Sequence, residues 1–152
     1  ARVGEEKAEA VAAQCASEDI VIAADTIVVV DGQILGKPKS EADAVRMLSL
    51  LSGRRHEVMT GLTVLQGGYM QRCVVRTGIE FRPLSDREIR AYVATGEPMD
   101  KAGAYGIQGG ASIFVRHLDG DYFCVMELPL CPLAEMLRAC GVQVLGDDGR
   151  GA

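Results

Sequence analysis

No apolar run in this chain approaches the ~18 residues that a membrane-spanning helix requires, which sets a membrane partner aside. The first residues, Ala1 to Lys7, turn charged before any apolar stretch develops, so they do not read as a secretory signal. An initiator Met is also lacking, which leaves room for upstream sequence. Positive charge is in deficit: 16 Lys and Arg stand against 21 Asp and Glu, a net charge of −5. A nucleic-acid binder is expected to be basic, so that partner is disfavoured, whereas a small anionic substrate needs only a few local cations. The five cysteines (Cys15, Cys73, Cys124, Cys131 and Cys140) form no Cys-x-x-Cys pair, so neither a zinc site nor a disulfide framework is signalled. Reduced, mostly buried thiols in a cytoplasmic protein are the expectation.

What is present is a core. The chain has 152 residues, 48% of them apolar, which excludes disorder and suits one domain spanning residues 1–152. Residues 5–16, rich in Ala and Glu, suit a helix. Residues 20–30 are β-branched and apolar on both faces, the pattern of a strand inside a sheet covered on both sides. A helix from Ser40 places Ala44, Met47, Leu48 and Leu51 on one face and stops at Ser52-Gly53. A second opens with the capping box Ser85 to Glu88, carries the stripe Ile89, Tyr92 and Val93, and ends at Gly96. A third follows Pro132, with Leu133, Met136, Leu137 and Cys140 on one face and Gly141 beyond. Residues 57–66 and 69–81 read as a hairpin about Gly67-Gly68, and 111–117 with 121–126 as another about Asp119-Gly120. This order predicts an α/β fold with a mixed central sheet flanked by helices.

Asp25 stands out within the apolar strand. A buried unpaired carboxylate is costly, so Asp25 must reach a polar cleft, pair with a cation, bind a metal or carry a raised pKa. Alternatively it ends the strand early, and Thr26–Val30 is a second extended piece. Gly36-Lys37-Pro38 is not a phosphate loop, because only three residues separate Gly32 from Gly36 and Pro38 stands where a Ser or Thr would hold magnesium. Lys37 either meets a phosphate as a point charge or is simply exposed, and the same choice applies to Lys7 and Lys39. Arg54-Arg55-His56 reads as a solvated loop, and His56, with no His or Cys nearby, is neither ligand nor base. Residues 96–110 bring Glu97, Asp100 and Lys101 to a glycine-rich stretch. Its Gln108 either offers an amide to a base edge or is a polar turn residue.

Together these segments resemble the Maf family of nucleoside triphosphate pyrophosphatases. The matching blocks are residues 21–28 (Val-Ile-Ala-Ala-Asp-Thr-Ile-Val), 36–38 (Gly-Lys-Pro) and 51–61 (Leu-Ser-Gly-Arg-Arg-His-Glu-Val-Met-Thr-Gly). Residues 96–109 (Gly-Glu-Pro-Met-Asp-Lys-Ala-Gly-Ala-Tyr-Gly-Ile-Gln-Gly), 114–122 and 128–130 (Leu-Pro-Leu) continue the series in family order. The resemblance implies a Maf/inosine-triphosphatase-like architecture and hydrolysis of a nucleoside triphosphate between its α and β phosphates, aided by a divalent cation (Mg, Mn or Co). Asp25 then matches the family's general base, with the metal at the same carboxylate. Thr26 and Gln108 match positions tied to substrate choice. Lys7 and Lys37 match lysines near the phosphates, and Lys101, in the family's Asp-Lys-Ala-Gly block, joins the expected substrate-binding residues.

The Asp-Thr and Ile-Gln-Gly forms are similar to the branch acting on dTTP and UTP, a house-cleaning activity against noncanonical pyrimidine nucleotides. The alternatives the resemblance carries are a non-catalytic nucleotide-binding regulator linked to septum formation and an inactive fragment. A homodimer is a further expectation. Its apolar carboxy-terminal helix either forms the interface or covers the sheet. Two departures stand out. The family's first strand and its phosphate-gripping Ser-Pro-Arg-Arg loop are not found before Ala1, so an amino-terminally truncated domain is expected. Glu127 stands where Gly usually precedes Leu-Pro-Leu, and there it either perturbs the cleft wall or faces solvent.

Overall fold

The computed structural model describes residues 19–146; the expected helix over residues 5–16, Lys7 and Cys15 lie outside the described residues. The chain begins with β1 (Ile20–Val30), a single uninterrupted strand through Asp25, so the carboxylate does not end it early. Asp31 and Gly32 follow with φ of 51° and 70°, the pair of positive values that a two-residue hairpin needs. They turn the chain into the short β2 (Gln33–Leu35), which pairs with Val28–Val30.

Helix α1 (Glu41–Leu51) is capped by Ser40, whose hydroxyl accepts from the Asp43 amide at 3.0 Å. Its buried residues are Ala44, Met47, Leu48 and Leu51, the face expected from the spacing. Strands β3 (Arg55–Gln66) and β4 (Tyr69–Phe81) pair along their full length about Gly67-Gly68, with Gln66 opposite Tyr69. Helix α2 (Asp86–Ala94) carries the predicted capping box. Ser85 accepts from the Glu88 amide at 3.1 Å, and the Ser85 amide donates to Glu88 Oε1 at 3.2 Å.

The second predicted hairpin is not formed. Residues 110–113 make a 3-10 turn, and β5 (Val115–Asp119) pairs with β4 rather than with the residues that follow it. Residues 122–125 instead form the helical turn α3 (Tyr122–Val125). The reason is local. The Asp121 side chain caps this turn, accepting from the amides of Phe123 and Cys124 at 2.8 and 3.3 Å, while the Thr77 hydroxyl holds both the amide and the carbonyl of Asp121. Helix α4 (Leu130–Ala139) starts two residues before Pro132, which sits in the first turn, where its missing N–H costs no helical bond.

The sheet order is β2-β1-β3-β4-β5, and every pairing among the described residues is antiparallel. The architecture is the expected α/β sheet with flanking helices, but among the described residues the sheet is antiparallel throughout rather than mixed, because each of its strands pairs with its neighbour through a hairpin or a return connection. Because β2 reaches only Val28, the edge of β1 from Ile20 to Ile27 has no strand beside it among the described residues.

One sheet face carries two apolar clusters separated along the strands. Val28, Val30, Val58, Ile79 and Phe81 pack under α1 and α2, and Leu62 and Val64 pack under Leu133 and Met136 of α4. The carboxy-terminal helix thus covers the sheet. Of the described cysteines, all are free: Cys124 is buried, Cys73 and Cys140 half-buried and Cys131 exposed. No helix among the described residues is long and apolar enough to cross a membrane.

Candidate active site

Between the two apolar clusters the sheet presents a polar row. Alternation along β1 puts Ala24, Thr26 and Val28 on the same face, and Thr26 sits where the packing of α4 ends and that of α1 begins. Thr60 lies directly across from it on β3. The turn α3 is fastened over this row by the Thr60 hydroxyl, which donates to the Cys124 carbonyl at 2.9 Å, and by the Thr77 contacts with Asp121. The uncovered remainder is a cleft of about 430 Å³ whose wall includes Thr26, Val28, Glu97, Lys101, Tyr105, Gln108, Val125 and Glu127. That volume falls in the range of small-molecule sites.

The segment from Glu97 to Ile113 forms the far wall, built from three 3-10 turns and held by close backbone approaches. Gly103 has φ of 72°, and its amide donates to the Gly36 carbonyl at 3.1 Å, which ties the Gly36-Lys37 loop to the cleft wall. The Gly106 amide donates to the Tyr92 hydroxyl at 3.1 Å, and the Gly110 amide to Glu97 Oε2 at 3.1 Å. A Cβ on Gly109 would lie 1.5 Å from Glu97 Oε1, so the carboxylate occupies that space. Gln108 stands exposed between these fastened glycines.

Beneath the wall, His56 Nε2 and the Tyr105 hydroxyl are 2.7 Å apart, and both rings pack edgewise on Phe81. Burial holds the His56 imidazole neutral, with a pKa lowered to about 4, and pushes the Tyr105 and Tyr92 phenols upward. The Arg54-Arg55-His56 run is thus not a solvated loop. Arg55 and His56 open β3, Arg54 pairs with Asp31, and His56 is 2% exposed. Sequence reasoning passed over His56 and Tyr105; the signal available was a histidine on the same alternating face as Val58 and Leu62.

The structure brings together Thr26, Lys101 and Gln108, three of the residues singled out above, from separate parts of the chain. Lys37 is exposed on the loop that Gly103 anchors. Asp25 is not in the cleft wall. It is half-buried on the opposite face of β1, opposite Gly61, because consecutive strand residues point to opposite sides. Glu127, which the sequence left undecided, lines the cleft with φ of 78°, a backbone conformation that favours glycine. Among the described residues no three His, Cys, Asp or Glu side chains converge on a point that would hold a metal ion.

An α/β sheet with a polar cleft over one face defines the class. Residues 1–140 match the family described as Maf-like protein, and the chain belongs to that family. The chain is 51% identical over 142 residues to a dTTP/UTP pyrophosphatase of Moorella thermoacetica, covering 92% of this chain and 73% of that protein. It is 53% identical to the dTTP/UTP pyrophosphatase of Geobacter metallireducens over 143 residues, covering 92% and 73% respectively. For the protein of the same name from Geobacter sulfurreducens the identity is 54%, covering 92% and 74%.

Proposed function

We propose that the protein hydrolyses dTTP, UTP and related noncanonical pyrimidine nucleoside triphosphates to the monophosphate and pyrophosphate. The observation that carries this reading is the shared cleft of Thr26, Lys101 and Gln108, in a chain about half identical to proteins named for that activity. A hydroxyl and an amide can read a base edge, and a lysine beside them supplies positive charge for a phosphate.

In this reading the base lies on the floor at Thr26, with Gln108 at its edge. Lys101, and Lys37 from the anchored loop, neutralise phosphate oxygens and the charge that builds on them during displacement. Asp25 orients or deprotonates the attacking water. The triphosphate then crosses the edge of β1 that β2 leaves uncovered, which brings it from the Thr26 face to the Asp25 face. A divalent cation arrives with the nucleotide, since such ions are commonly held by one or two carboxylates together with substrate phosphates. The described residues supply no closed cage for it.

The test is incubation with dTTP, UTP and dCTP in the presence of magnesium or manganese, with products separated chromatographically. Monophosphate and pyrophosphate in equal amounts from dTTP and UTP are expected. Release of orthophosphate would contradict the reading. Tight nucleotide binding without turnover would favour a non-catalytic regulator instead.

A further inference from the structure

The cleft floor holds a hydrogen-bond chain whose direction is fixed. Thr26 Oγ1 lies 2.7 Å from Thr60 Oγ1, and Thr60 Oγ1 lies 2.9 Å from the carbonyl oxygen of Cys124. A carbonyl cannot donate, and two oxygens this close without a proton between them repel. The single Thr60 proton is therefore committed to Cys124, and Thr26 must supply the proton of the other bond. The Cys124 carbonyl also accepts from the Glu127 amide at 3.0 Å, and it shares the Met126 amide with the Tyr122 carbonyl. Thr60 is fully buried, so solvent does not compete for its proton. Thr26 lines the cleft, and with its own proton spent it shows a ligand only lone pairs.

We propose that Thr60 is a specificity-determining positioning residue: by accepting the Thr26 proton it makes Thr26 an obligate acceptor, which selects a pyrimidine carrying an imide N3–H over one with a bare N3. The inference rests on the reading of the cleft as a nucleotide site. Thymine and uracil both carry this N–H, and cytosine presents a lone pair at the same position. Gln108 does not enforce the choice unaided, because a half-turn of its amide exchanges donor and acceptor. The Thr26 hydroxyl has no such freedom while Thr60 holds its proton.

Equilibrium binding of α,β-methylene analogues of UTP and CTP tests the proposal without requiring turnover. The unmodified protein is expected to bind the UTP analogue about tenfold more tightly or better, the factor set by leaving facing acceptors unpaired. Thr60→Val keeps the side-chain shape and leaves the Cys124 carbonyl bonded to Glu127. It frees the Thr26 proton, and the UTP-to-CTP ratio should fall towards one. Thr60→Ser keeps the hydroxyl and should restore the preference. The N3-methyl derivative of the UTP analogue, on the unmodified protein, should bind about tenfold more weakly than its parent.

An unchanged ratio in a Thr60→Val protein that retains a cooperative thermal transition would overturn the proposal. So would N3-methylation without effect on the unmodified protein. Failure of every uracil analogue to bind would instead overturn the nucleotide reading and the proposal with it.

Discussion

Gly103 packs its bare Cα against Val28: a Cβ at that position would lie 2.8 Å from Val28 Cγ2. The contact joins the cleft wall to β1 two residues from Thr26, and the Gly103 amide draws in the Gly36 carbonyl at 3.1 Å. Gly103→Ala would meet both a left-handed backbone and a packed valine. A loss of about 2–4 kcal/mol is expected from strain and overpacking together. Chemical denaturation measures it, and an unchanged midpoint would contradict the account of this wall.

Glu127 holds φ of 78° without the freedom of glycine. Glu127→Gly should therefore raise stability by about 1 kcal/mol, the cost usually attached to a side chain in that conformation. Because the residue lines the cleft, the same change removes a negative charge from the path of an anionic ligand, and the KM for dTTP should fall. Thermal unfolding and steady-state kinetics on one variant read both effects.

Two groups make the fold acid-sensitive in successive pH windows. His56 has a folded pKa lowered to about 4 by burial, below its ordinary value of 6.5. The unfolded chain binds more protons between these values, so stability is full above pH 6.5 and declines as pH falls towards 4. The slope is at most about 1.4 kcal/mol per pH unit. Glu88 is held at about 2, first by the Arg82 guanidinium and then by the Ser85 amide. Its contribution is present above the ordinary value of 4.5 and is lost as pH falls from there towards 2. His56→Gln should flatten the stability profile between pH 6.5 and 4.5 and leave the lower window in place.

Lys101 is the described lysine in the cleft wall, with Glu97 and Glu127 in the same wall. Lys101→Met keeps the length of the side chain and removes the charge. The KM for dTTP should rise about tenfold, the loss of one charge-assisted contact. Equal KM values would remove Lys101 from the phosphate path.

Much of this arrangement was legible in the residues themselves. Ala44, Met47, Leu48 and Leu51 announced the buried face of α1 by spacing, and Ser85 with Glu88 announced the start of α2. The Asp119-Gly120 turn misled because Thr77, distant in sequence, grips Asp121 and converts a hairpin into a strand-to-helix turn. The Asp31-Gly32 hairpin carried an equally good local signal that the long apolar run of β1 obscured. Thr26, Lys101 and Gln108, far apart in the chain, line one cleft. The opposed directions of Asp25 and Thr26 follow from strand alternation alone, once the strand is known to continue unbroken. The His56–Tyr105 contact was out of reach, since only tertiary packing brings positions 49 residues apart within 2.7 Å.

The most direct measurement is the rate of pyrophosphate release from dTTP by Asp25→Asn, paired with its dTTP affinity. The account predicts a fall of about 10²–10⁴-fold in kcat with binding retained, as for loss of a general base. Undiminished release would show that the carboxylate across the strand from Thr26 takes no part in the chemistry.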